Sequence, residues 1–117
     1  AVEAALSAVD GIFVTNAAKA TVADEQDAIE AQLRAWVADG VDLIFTTGGT
    51  GFAERDVTPE ATRRVIEKPC PGLVLVMLQE GQKKIATAIL SRPEAGIVGN
   101  TLIVNTPGSP KGAAEGV

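Results

Sequence analysis

A glycine-rich stretch in the middle of the chain is the first feature that could do chemistry. It reads TTGGTGFAERDVTPEAT from Thr46 to Thr62, and Gly48, Gly49 and Gly51 follow directly on a short apolar run. Glycines at such a point let the backbone approach a ligand closely and turn its N–H groups toward an anion. The stretch is not a P-loop, because no Gly-Lys-Ser/Thr follows, and Glu54 breaks the G-x-G-x-x-G fingerprint. A tight strand-to-helix turn is the alternative interpretation.

Two carboxylates could serve a metal ion beside this loop. Asp56 follows the last of these glycines and precedes a predicted helix, and Asp24 opens an earlier helix. Mg²⁺ keeps several waters and is held by one or two carboxylates together with substrate phosphates. The alternatives are that Asp56 is a solvated charge favoured by the helix dipole and that Asp24 only caps its helix.

A second loop, PGSPKG from Pro107 to Gly112, is typical of a turn that opens a helix. Its N–H groups, the Ser109 hydroxyl and Lys111 would suit a phosphate, although a turn with an N-cap explains the same residues. Arg55 and Arg92 could also face phosphates, or they could be solvated surface charges.

The residue types that are missing exclude several functions. The chain has no histidine, so Ser-His-Asp and Cys-His catalysis and histidine-based zinc sites are excluded within it. A net charge of −5 argues against nonspecific binding to nucleic acid or anionic membranes. No apolar run approaches the roughly 20 residues of a membrane span. The single Cys70 excludes an internal disulfide and fits a reducing compartment, so we expect a cytoplasmic protein.

The residues named above must be positioned by alternating helices and strands, the pattern of a layered α/β domain with a mostly parallel sheet. A chain of 117 residues suits one domain, covering residues 1–117. Apolar periodicity and caps predict a helix over Ala23–Asp39, a second helix from its N-cap Thr58 to about Lys68, and a third from Ser109. Short apolar runs predict strands over Gly11–Thr15 and Asp42–Thr47. The strands Ala95–Val98 and Thr101–Asn105 are predicted to form a hairpin around a type II′ or I′ turn at Gly99-Asn100.

Two parts of this pattern stay open. The run Leu73–Leu78 is apolar throughout, so periodicity cannot separate a buried strand from a buried helix. The chain also starts without a strong first strand and stops inside a predicted helix. We therefore expect a domain that is incomplete at both ends.

The glycine stretch, followed in order by PGLVLVML and LSRPEAGIVGNTLIVNTPGSPKGAAE, resembles the molybdopterin adenylyltransferase family of the MogA/MoaB type. The plant molybdenum-cofactor G domain and the gephyrin G domain belong to this family. The resemblance runs from about Thr21 to Glu115. It implies a three-layer α/β/α fold, a homotrimer, and Mg²⁺-dependent transfer of AMP from ATP to the terminal phosphate of molybdopterin with release of pyrophosphate. It further implies hand-over of the product to a molybdenum-insertion enzyme or fused domain.

The resemblance also implies roles for individual residues. The two functional aspartates of the family match Asp24 in VADE and Asp56 in RDVTPE, as catalytic residues and metal ligands. The segments that bind nucleotide or pterin match Thr47, Gly48, Gly49, Thr50, Gly51, Ser91, Arg92, Pro107, Gly108, Ser109 and Lys111.

Three departures from the family pattern bear on activity. Glu54 brings a negative charge into the glycine loop, Ala23 replaces the proline before the first aspartate, and the family's opening strand is not present. Two alternative functions follow from the same family: the related molybdenum-insertion domain, and a non-catalytic molybdopterin-binding or trimeric scaffold domain.

Overall fold

The structure, a computed structural model, describes residues 20–106. The predicted strand Gly11–Thr15, the predicted helix from Ser109 and the site residues Pro107, Gly108, Ser109 and Lys111 lie outside this range. The described elements are α1 (Gln26–Ala38), β1 (Leu43–Thr47), α2 (Thr58–Val65), β2 (Lys68–Pro69), α3 (Pro71–Gln82), a 3₁₀ helix (Ala86–Leu90), β3 (Ala95–Val98) and β4 (Thr101–Thr106).

The four strands form one sheet in the order β1-β4-β3-β2. β1 and β4 are parallel, with Leu43 opposite Leu102 and Thr47 opposite Thr106. The β3–β4 and β2–β3 pairs are antiparallel. Over the described residues the sheet is therefore mixed, because the tight turn between β3 and β4 forces those two strands to run in opposite directions.

Helices cover both faces of the sheet and give the expected three layers. On one face, Leu33 of α1 and Val65 of α2 pack with Ile44 of β1 and Ile103 of β4. On the other face, Phe45 and its neighbours meet the α3 side chains Val74 and Met77. This division follows from the strand period of two, which sends neighbouring side chains of β1 to opposite faces.

The apolar run whose conformation the sequence left open is helical. α3 begins with Pro71 in its first turn, where a missing N–H costs nothing. Val74 and Met77 are three residues apart and contact the sheet, whereas Leu75 and Val76 are more than half exposed. None of the helices within residues 20–106 is long and apolar enough to cross a membrane.

The predicted starts of α1 and α2 are wrong by three residues and one residue. α1 begins at Gln26 with Glu25 as N-cap, and no side chain caps it, so Asp24 is not its cap. Thr58 is the first residue of α2 and Val57, whose backbone angles are not helical, is the N-cap. The Thr58 N–H bonds to the Gly49 carbonyl. α2 ends at Val65, before Lys68, because Lys68 pairs with Ile97 in the sheet.

The predicted hairpin is confirmed, with strands Ala95–Val98 and Thr101–Thr106. Gly99 has φ +56°, and no non-glycine residue in the described part of the chain has a positive φ. A type I′ turn would need a positive φ at Asn100 as well, so the turn is of the II′ kind.

Candidate functional site

The glycine loop begins where the two parallel strands end together. Thr47 closes β1 opposite Thr106 of β4, and the Gly48 N–H donates to the Thr106 carbonyl at 3.2 Å. The Thr106 hydroxyl in turn donates to the Thr46 carbonyl at 2.6 Å. Ligands of open α/β sheets bind beyond the carboxyl ends of such strands. The loop therefore lies at the edge of the sheet where a ligand is expected.

Glycine is required at two positions of the loop for reasons of space and backbone angle. Gly48 and Gly49 have φ +91° and +69°, which L side chains rarely adopt. A Cβ on Gly49 would collide with Oγ1 of Thr58 at the start of α2. A Cβ on Gly51 would lie 2.7 Å from Oδ2 of Asp56. The loop is thus folded closely against the beginning of α2, as both interpretations of the glycines require.

One cleft joins Asp24 to the start of the glycine loop. Asp24 is exposed and shares this cleft with Thr46, Thr47 and Gly48. The remaining wall comes from the segment before α1, from α1, from β1 and from the start of α2: Ala20, Val22, Ile29, Gln32, Leu33, Trp36, Phe45 and Thr58. A carboxylate and the glycine backbone therefore face the same space, with one apolar wall beside them.

Asp56 is held inside the loop. Its Oδ2 accepts a hydrogen bond from the Ala53 N–H at 3.0 Å, and its own N–H donates to the Ala53 carbonyl at 3.0 Å. Asp56 is not among the described residues that line the cleft with Asp24. Asp24 therefore lies in the cleft beside the end of β1, whereas Asp56 lies near the C-terminal end of the loop, just before α2.

No group of three or more acidic or cysteine side chains within residues 20–106 is placed to hold a metal ion. Mg²⁺ does not need such a cage, because one or two carboxylates, waters and substrate phosphates complete its coordination. Asp24 is exposed in the cleft and Asp56 is half-buried within the loop, so each offers a carboxylate, but the cleft that holds Asp24 does not include Asp56.

Ser91 and Arg92 lie against the glycine loop. The Ser91 hydroxyl donates to Oγ1 of Thr50 at 2.8 Å, and the Arg92 N–H donates to the Thr50 carbonyl at 3.0 Å. The Arg92 guanidinium donates from Nε to the Gly51 carbonyl at 2.7 Å and from Nη2 to the Asp56 carbonyl.

Glu60, on α2, completes the surroundings of Arg92. Its Oε1 accepts from Nη2 at 3.1 Å, and its Oε2 accepts from Nη1. The hydrogen bond from Arg92 holds the pKa of the Glu60 carboxyl below its usual 4.5, although burial acts in the opposite direction. Glu60 in turn raises the pKa of Arg92. Both side chains are therefore charged at neutral pH.

Sequence reasoning missed the polar group beneath the loop. Asn105 is fully buried at the end of β4. Its Nδ2 donates to Oγ1 of Thr46 at 2.8 Å and to Oγ1 of Thr62 at 3.0 Å, and its Oδ1 accepts from the Glu94 N–H at 2.9 Å. The sequence feature that could have predicted this group is Asn105 itself, an amide residue directly after the apolar residues of β4.

Comparison with known proteins agrees with this fold. Residues 4–117 match the family described as "Probable molybdopterin binding domain". The chain is 53% identical over 95 residues to the molybdenum cofactor synthesis protein cinnamon of Drosophila melanogaster, covering 80% of this chain and 16% of that protein. It is 50% identical over 95 residues to a molybdopterin adenylyltransferase of Helicobacter pylori, covering 80% and 54%.

Among solved structures, the molybdopterin biosynthesis enzyme MoaB of Thermus thermophilus superposes with a TM-score of 0.74 at 52% identity. The superposition covers 80% of this chain and 59% of the MoaB chain. This chain thus spans little more than half the length of that enzyme and of the Helicobacter relative. The family match, the identities and the shared fold together confirm the resemblance read from the glycine loop: this chain belongs to the molybdopterin-binding domain family.

Proposed function

We propose that this chain is the adenylyltransferase domain of a molybdenum-cofactor synthesis protein, which transfers AMP from ATP to the terminal phosphate of molybdopterin. The observation that carries the proposal is the shared cleft of Asp24 and the glycine loop at the carboxyl end of β1. The similarity to a protein named molybdopterin adenylyltransferase supports the choice of reaction.

The chemistry suits a site without histidine. An oxygen of the molybdopterin phosphate attacks the α-phosphorus of ATP, a new P–O bond forms, and the bond to pyrophosphate breaks. The nucleophile is already anionic at neutral pH, so the reaction needs alignment and charge neutralisation more than a strong base. Backbone N–H groups of the loop, from Gly48 to Gly51, would bind phosphate oxygens.

Asp24 and Asp56 would hold Mg²⁺, which when bound neutralises charge on the ATP phosphates. The nucleotide and pterin sites would be completed by Thr47, Thr50 and Ser91, together with the segment that contains Pro107, Gly108, Ser109 and Lys111. Arg92 belongs to the proposed site through its contacts with the loop.

The proposal includes the partners that the family resemblance implies. These are a homotrimer and a molybdenum-insertion enzyme or fused domain that receives the product, with no nucleic-acid or membrane partner, in the cytoplasm. The Drosophila relative, of which this chain covers 16%, is long enough to hold further domains.

The test is pyrophosphate release by the purified protein given ATP, molybdopterin and Mg²⁺. Asp24→Ser and Asp56→Asn should each lower the rate about 10²–10³-fold, the usual cost of one well-placed electrostatic group. Asp24→Ser should leave stability unchanged, because no Asp24 side-chain bond caps α1. Normal turnover in both variants would contradict the proposed site. Pterin binding without pyrophosphate release from the unmodified protein would indicate the scaffold function instead.

A further inference from the structure

The Arg92 guanidinium makes four hydrogen bonds to protein acceptors, out of its five N–H donors. Nε donates to the Gly51 carbonyl, and Nη2 donates to the Asp56 carbonyl. Nη1 and Nη2 also bond to the two carboxylate oxygens of Glu60. The planar fork of an arginine can span several acceptors at fixed angles, which a lysine ammonium cannot do. A cation that is shared in this way is poorly placed to meet a ligand phosphate directly.

The bonds to Arg92 have a directional consequence for the loop. A trans peptide group points its C=O and its N–H in opposite directions, and the described chain has no cis peptide bonds. The carbonyls of Thr50, Gly51 and Asp56 all accept hydrogen bonds from Arg92. The N–H groups of the residues that follow them therefore point away from Arg92.

Those three N–H groups belong to Gly51, Phe52 and Val57. Within residues 20–106 none of them donates a hydrogen bond to another protein atom. Unpaired backbone N–H groups that converge in a turn form the concave anion sites of phosphate-binding loops. By drawing the carbonyls to one side, Arg92 leaves the amides on the other side free to bind.

We propose that Arg92 is a positioning residue: anchored by Glu60, it holds the glycine loop in the conformation that binds phosphate, and it does not itself contact the ligand. This inference deepens the proposed function and rests on it for the identity of the ligand. Asp56 is positioned by the same bonds, because its carbonyl is one of the acceptors.

The first test uses the ligand-free protein. Arg92→Lys keeps the charge but cannot make the same set of bonds. The Ala53 amide donates to the Asp56 carboxylate within the loop, and the Thr58 amide donates to the Gly49 carbonyl. Hydrogen exchange at both amides should then accelerate at least tenfold. Arg34→Lys is the matched control, since Arg34 also bonds a carboxylate and a carbonyl, of Glu30 and Arg64, away from the loop. Unchanged exchange in Arg92→Lys would overturn the proposal.

The second test separates positioning from direct contact by using pyrophosphate as the probe. Glu60→Gln removes the charge that anchors Arg92 while preserving side-chain shape. If Arg92 positions the loop, this variant should bind pyrophosphate about tenfold more weakly. If Arg92 contacts the ligand, freeing the cation from Glu60 should strengthen binding, and that result would overturn the proposal.

The turnover assay distinguishes a failure of this proposal from a failure of the proposed function. Misplacement of a loop by about 1 Å can lower a rate about 10²-fold, and Arg92→Lys should do so with circular dichroism unchanged. Pyrophosphate release by the unmodified protein, combined with a normal loop in Arg92→Lys, would reject the positioning role alone. A loosened loop in Arg92→Lys, combined with no pyrophosphate release from the unmodified protein, would reject the adenylyltransferase function and retain the positioning role.

Discussion

Gly49 is the point at which the loop and α2 come closest. Its φ of +69° and the collision that a Cβ would make with the Thr58 side chain are two separate reasons for glycine. Gly40, which ends α1, has φ +79°, but a Cβ added there would meet no atom within 4 Å. The pair therefore allows the cost of the backbone angle to be measured apart from the cost of the contact.

Gly40→Ala should lower the free energy of unfolding by about 1–2 kcal/mol, the cost of a left-handed backbone for an L residue. Gly49→Ala should lose that amount and about 1–3 kcal/mol more, because the new methyl group is overpacked against Thr58. Urea unfolding of both variants measures the difference. Adding Thr58→Ala to Gly49→Ala should restore part of the second loss. Equal losses at the two glycines would mean that the contact contributes nothing.

Glu60 should make stability sensitive to acid. Its pKa in the folded protein is lowered by Arg92, so the unfolded chain binds a proton at a higher pH than the folded protein does. The stabilisation is complete above the unfolded pKa of about 4.5 and is lost as the pH falls through the lower folded value. Glu60→Gln should therefore flatten the decline in melting temperature below about pH 4.5. An identical acid limb in the variant would rule out this linkage.

The secondary-structure elements around the site are joined by buried polar contacts as well as by apolar packing. Asn105 connects β4 to Thr46 on β1 and to Thr62 on α2, and it also binds the Glu94 N–H that precedes β3. An apolar residue there would fill the space but leave these partners without hydrogen bonds. The glycine loop connects β1 to α2. The position of α2 relative to the ends of β1 and β4 thus depends on the Asn105 side chain.

Asn105→Ala should lower the free energy of unfolding by about 2–4 kcal/mol, because buried donors and acceptors lose their partner. Asn100→Ala is the matched control, since Asn100 is exposed in the turn between β3 and β4. Its effect should stay within about 0.5 kcal/mol. Guanidinium titrations of the two variants give the comparison, and similar values for both would contradict a structural role for the amide.

At the scale of the whole described structure, residues 20–106, most exposed large apolar side chains lie on α3 or between its end and the end of the 3₁₀ helix. Leu75, Val76, Ile85 and Leu90 are 56%, 54%, 49% and 59% exposed, and no residue of α3 is buried within the described structure. Clustered apolar surface of this kind marks protein contacts more often than isolated exposed residues do. We expect this surface to take part in the homotrimer that the proposed function includes.

Leu75→Glu should shift the protein from trimer to monomer in analytical ultracentrifugation at micromolar concentration, because a carboxylate would be buried without a partner at the interface. Gln79→Glu adds the same charge at an exposed polar position of α3 and should leave the trimer intact. A trimer that persists in Leu75→Glu would show that α3 lies outside the interface.

Much of this protein follows from local features of the sequence. Gly48 and Gly49 have positive φ in the glycine-rich loop predicted after a strand, and Gly99 has positive φ in the predicted hairpin turn. Pro59 lies in the first turn of α2, at the predicted start of that helix. These outcomes depend on the angles that single residues allow, so a sequence alone determines them. The family resemblance rests on the same stretches.

Only the tertiary structure decided the features that depend on distant partners. The residues of the apolar run in α3 show no periodicity that would distinguish a helix from a strand. The structure shows a helix, in which Val74 and Met77 contact the sheet. The sequence suggested that Arg92 faces a phosphate, but its bonds reach Gly51, which lies 41 residues earlier along the chain. Side-chain hydrogen bonds across such separations depend on how the elements pack, and no local pattern of residues encodes that packing.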